Sequence, residues 1–233
     1  MAILHNIKDV LKLVESLKVA APALADSTFL EDFSIKLLDD DGMKAEMQDQ
    51  DLDLFLEELN NLRKNAADSK VYFMLMLLEV LILHNIYPIS PELVKYRQEV
   101  DKEAICGVNS ALKPIGEAFN REKEKTEADK ELADNDRNRI IEALSERYES
   151  FLRVSTIFRH DIQELQKNGQ ISILADKGCP SVIDINTLEE LFENYALINR
   201  LIIQLSLIYD PIIVLNSSNF SCGLSGKEPP KKK

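Results

Sequence analysis

From Glu117 to Asn168 the chain runs 52 residues without a glycine or a proline, and its character changes partway along. Asn120 to Arg139 holds 13 charged residues in 20, whereas Ile141 to Leu165 carries apolar residues at 3-4 spacing. Glycine and proline are the usual helix stops, so a stretch this long without either predicts one long helix over about 117–168. At ~1.5 Å per residue it would span roughly 78 Å. Its first half has no apolar face to bury, so that half is expected to bend or fray, or to reach a partner.

The second half is more specific. Ile141, Leu144, Tyr148, Phe151, Ser155, Phe158, Ile162 and Leu165 step by three and four in alternation, which is coiled-coil spacing. The same spacing arises in a core helix of an antiparallel bundle. Ile140, Leu152, Val154 and Ile157 widen the apolar face beyond a two-stranded seam, which favours the bundle. If the stripe instead meets another chain, the interaction surface is Ile141, Leu144, Tyr148, Phe151, Phe158, Ile162 and Leu165. In the charged half, opposite charges lie three or four apart, as in Glu122–Lys125, Lys123–Glu127, Lys130–Asp134 and Asp134–Arg137. Each such pair stabilises an exposed helix by only ~0.2–0.5 kcal/mol.

The remaining segments also read as helices. Ile3, Leu4, Ile7, Leu11, Val14 and Leu17 predict a first helix ending near Val19, before Pro22. Ser27 is placed to cap a second, which Asp39-Asp40-Asp41-Gly42 ends; Leu52, Phe55, Leu56, Leu59 and Leu62 form the stripe of a third. Asp68 or Ser69 is placed to cap the apolar run Val71–Ile86, and Ser90 followed by Pro91 is a strong helix start. Pro114-Ile115-Gly116 is expected to end that fifth helix. Ile171 to Ile185 suits a short hairpin, and Asn186-Thr187-Leu188-Glu189 is a capping box opening the last helix. The predicted fold is all-α: a multi-helix bundle of six or seven helices with one long helix at about 117–168. It forms a single elongated domain over 1–215, with a candidate sub-division at 114–116 into 1–113 and 117–215, and a flexible tail at 216–233.

The net charge of −12 understates the body, because the segment 227–233 holds four lysines against one glutamate. Residues 26–58 hold twelve acids against two lysines. A surface of that sign repels phosphate backbones, so nucleic acid is not an expected partner; a basic protein is allowed. Cys106, Cys179 and Cys222 have no zinc-ligand spacing and no C-x-x-C, so free thiols and a reducing, cytoplasmic or otherwise intracellular compartment are expected, with no metal. No secretory signal is read at the N-terminus. The 16-residue apolar run Val71–Ile86 contains Glu79 and His84 and is short for a bilayer span, so it is expected to be a buried central helix.

Two short motifs carry enzyme-like readings. Arg153-Val-Ser-Thr-Ile-Phe-Arg-His160 resembles the arginine-six-residues-histidine motif of the HEPN helical ribonucleases. That resemblance implies an active site of Arg153 and His160 shared across a dimer. The family usually has a polar residue after the arginine, where Val154 stands here, and the heptad register puts both residues opposite the seam. His160-Asp161 faintly resembles the phospho-acceptor box of histidine kinases and their helical phosphotransferases, but Glu164 and Leu165 stand where an amide residue is expected. Asp39-Asp40-Asp41-Gly42 fails as a calcium loop, since Leu37 and Gln48 fall at its two end ligand positions. No phosphate loop or nucleophile elbow is present. The leading expectation is a non-enzymatic helical interaction protein without cofactor, self-associating or binding another protein. The alternatives are the ribonuclease-like arrangement and an acidic sequestering protein that uses residues 26–58.

Overall fold

The computed structural model describes residues 1–25, 30–33, 44–167 and 188–209. The chain is an all-α multi-helix bundle with a small three-stranded sheet at one edge. In order, the described elements are β1 (Ala2–His5), α1 (Ile7–Ala20), α2 (Pro22–Ala25), β2 (Lys44–Met47), α3 (Asp49–Asn65), α4 (Ser69–Asn85), β3 (Ile86–Tyr87), α5 (Pro91–Ala128), α6 (Asp134–Lys167) and α7 (Leu188–Tyr209).

α4 is the centre. Every residue from Phe73 to Leu83 is buried, because α1, α3, α5 and α7 all pack on it. A helix apolar on every side belongs inside a bundle, as the Val71–Ile86 run predicted. Its start is fixed by Asp68, whose carboxylate accepts from Val71 N at 2.9 Å. Ser90 caps α5 in the same way, accepting from Leu93 N at 3.2 Å, with Pro91 in the first turn.

The chain's opening residues are a correction. Ile3 and Leu4 belong to a strand rather than to the first helix, which begins only at Ile7. Asn6 interrupts with φ 54°, a left-handed conformation that asparagine tolerates, and its side chain donates to Asn85 Oδ1 at 2.6 Å. β1 is the middle strand, antiparallel to both neighbours in the order β2-β1-β3. The register sets Ala2 against Met47, and Leu4 against both Ala45 and Ile86. All five are buried on one face, so period-two burial replaces the helical spacing. The Tyr87–Pro88 peptide is cis.

Pro114 does not end the fifth helix. α5 continues for 38 residues to Ala128 with Pro114 inside it. A proline costs roughly 3 kcal/mol in a helix interior. Here Leu112, Ile115, Ala118 and Phe119 are buried on both sides of it, and their packing holds the helix together.

The single helix over 117–168 is likewise corrected. It is two helices, the end of α5 and the whole of α6, separated by residues 129–133 and packed against each other. The break falls in the charged segment, where Leu132 is the one large apolar side chain. Asp129 Oδ1 accepts from Glu131 N at 2.9 Å, an Asx-type turn. Arg137 then clamps the turn, donating to Asp129 O at 2.7 Å and 3.1 Å, to Leu132 O at 3.0 Å and to Asp134 Oδ1 at 2.9 Å. Of the expected helical ion pairs in this segment, Glu122–Lys125 and Asp134–Arg137 are seen among the described residues. The calcium-like turn at 39–42, the hairpin expected at 171–185 and the tail at 216–233 lie outside the described residues.

Candidate binding groove between two helices

The stripe on α6 supplies the first layer of the site. Leu144, Phe151 and Phe158 are each 1% exposed, and Ser155 is buried with them. Ile141 and Tyr148 are half-buried, while the side chains of Ile162 and Leu165 lie outside the described residues. Phe151 meets Phe119 of α5 and Tyr195 of α7, with ring centroids at 6.2 Å and 5.6 Å. Phe119 also meets Tyr195 edge-on at 5.6 Å and Tyr148 at 5.4 Å. These four rings join three helices at one level, at the short spacings aromatic pairs prefer. Nearby, the Arg147 guanidinium lies 4.1 Å above the Phe192 ring.

α7 packs against both α5 and α6. Away from it, a groove of about 300 Å³ is lined by α5 and α6 alone. Its floor is Phe119, Leu144 and Tyr148. One lip carries Asn120 and Lys123; the other carries Ser145, Glu149 and Leu152. Leu152 is 42% exposed, a large apolar side chain beside an aromatic floor. Neither Lys123 nor Glu149 forms an ion pair among the described residues. The groove therefore presents apolar surface flanked by a lysine and a glutamate that form no ion pair among the described residues.

Arg153 and His160 are both exposed on α6, and neither lines this groove. The side chain of Asp161 lies outside the described residues. Among the described residues no three His, Cys, Asp or Glu side chains group as a metal site. No described helix is long and apolar enough to cross a membrane. Of the acidic segment, Asp49, Asp53, Glu57 and Glu58 lie exposed on α3, while residues 34–43 lie outside the described residues. Cys106 is disulfide-bonded, against the expectation of three free thiols.

Comparison with protein-family models, curated proteins and solved structures finds no match to this chain. Its own side chains must carry any functional reading.

A second cluster escaped the sequence reading. Arg63 of α3, 3% exposed, donates from Nε to Glu79 Oε2 at 2.7 Å, and its Nη2 lies 2.7 Å from Glu103 Oε2. The Tyr96 hydroxyl donates to the other Glu79 oxygen. Burial pushes the Glu79 carboxyl above the usual carboxylate range, with Arg63 opposing it. Burial also disfavours the Arg63 charge, but Glu79 and Glu103 outweigh that and hold it protonated. The one available signal was an acid inside the apolar run of α4, which needs a buried partner. His84, on the same helix, meets that need with Asp101 of α5, at 2.9 Å and 3.0 Å. Both clusters tie neighbouring helices together.

Proposed function

We propose that this chain is a non-enzymatic helical interaction protein whose binding face is the groove between α5 and α6. The observation that carries this reading is a groove in which the half-buried Tyr148 ring and the exposed Leu152 meet solvent beside the buried Phe119 and Leu144. Most of the described heptad stripe is used up inside the bundle, and at this groove apolar surface and charge meet solvent together. Grooves of this kind take an amphipathic helix, with apolar anchors in the floor and charges along the rim. The ribonuclease-like alternative has less behind it, since Arg153 and His160 stand exposed on α6 and outside the groove.

Affinity capture with the full chain tests the reading. A specific protein partner should be retained by wild type and by an Arg153→Ala, His160→Ala double variant, and lost on Leu152→Asp. RNA degradation by the purified protein that disappears with His160→Ala would overturn it.

A further inference from the structure

We infer that the groove's occupant is a second copy of this chain, docked about a two-fold axis running along the α5–α6 hairpin. The inference rests on the groove being the interaction face. Lys123 stands on the α5 lip and Glu149 on the α6 lip of the same groove, and neither is paired within its own chain among the described residues. An isologous contact sets residue i against j and j against i. With the axis parallel to the helices, α5 of one copy lies over α6 of the other, and Lys123 faces Glu149 twice. With the axis across the helices, lysine would face lysine and glutamate would face glutamate, which is repulsive. The charges thus select the first arrangement. It also turns Leu152 of each copy toward the other chain, covering apolar surface that is 42% exposed in the single chain. The polar lips Asn120 and Ser145 have short side chains, which let the helix pairs approach.

The test is charge reversal on the full-length chain, read by sedimentation equilibrium with circular dichroism to confirm folding. Wild type should be a dimer at about 100 μM, a concentration that assembles most of a dimer with a Kd near 10 μM. Lys123→Glu alone and Glu149→Lys alone should each weaken dimerisation by about tenfold or more, and the double reversal should return it to near wild type. Raising the salt should weaken the wild-type dimer. A wild-type monomer at that concentration overturns the inference. So does a dimer indifferent to both single reversals, or a double reversal that fails to rescue. If the chain is monomeric while Leu152→Asp still abolishes capture of a different protein, only the self-association fails and the groove reading stands. If neither dimerisation nor capture responds to groove variants, both fail.

Discussion

The Arg63 guanidinium and the Glu79 carboxylate meet at 2.7 Å with both side chains almost wholly withdrawn from water. One arginine on α3 thereby holds α4 through Glu79 and α5 through Glu103. Removing one partner leaves the other buried and uncompensated, which costs far more than the pair contributes. Arg63→Met is expected to lower stability by about 3–5 kcal/mol in urea unfolding. Adding Glu79→Leu should recover a large part of that loss. Strictly additive losses would show that the two charges are independent.

The tyrosines around this pair set an alkaline limit. Burial raises Tyr72 above the ordinary phenol value, with Arg63 opposing it. Burial also raises Tyr96, and the nearby Glu79 charge adds to it. The fold therefore favours the neutral phenols. Their contribution is fully present below the unfolded-chain value of about 10 and is lost as pH rises above it. Stability should fall above about pH 10, with phenolate absorbance at 295 nm from these two rings appearing only as the chain unfolds. Tyr96→Phe should flatten that slope, while costing about 1 kcal/mol at neutral pH through the bond lost to Glu79.

Phe151 distinguishes a core stripe from a free one. At 1% exposure among Phe119 and Tyr195, it has no room for a charge. Tyr148→Asp with Phe151→Asp should abolish cooperative unfolding and most of the helical circular dichroism signal. A folded double variant that merely changes oligomeric state in light scattering would contradict the core placement.

Arg137 holds the reversal between α5 and α6 through carbonyl oxygens of Asp129 and Leu132. Arg137→Ala should cost about 1–2 kcal/mol and speed amide exchange at residues 129–133. Arg137→Lys should not restore protection, because a single ammonium lacks the planar fork that reaches both carbonyls.

Gly116 sits inside α5, where a methyl group would meet the Tyr148 hydroxyl at 3.6 Å, an ordinary contact. Alanine gains helix propensity there without a clash. Gly116→Ala should raise stability by about 0.5–1 kcal/mol, seen as a higher Tm.

Much of this architecture was legible because the strongest signals are local. The apolar run of α4 could only be a buried helix, and Asp68 and Ser90 cap where their hydroxyl and carboxylate chemistry requires. The α6 stripe, too wide for a bare seam, packs in the bundle at Leu144, Phe151 and Phe158. The groove itself was only half visible. Tyr148 and Leu144 stood out in the heptad, but Phe119 and Lys123 lie in a different helix, and no spacing rule brings them together.

Helix content, the central place of α4 and the apolar face of α6 were set by residue order alone, since propensity, capping and periodicity act over a few residues. Three other features were settled only by tertiary contact. Ala2 to His5 is a strand because β2 and β3 offer backbone partners on both sides. α5 runs through Pro114 because buried neighbours outweigh the lost hydrogen bond. The Gly- and Pro-free stretch turns back at residues 129–133 because folding α6 onto α5 and α7 buries its aromatic stripe, which an extended rod would leave in water. That reversal also creates the groove, which therefore has no counterpart in the linear sequence.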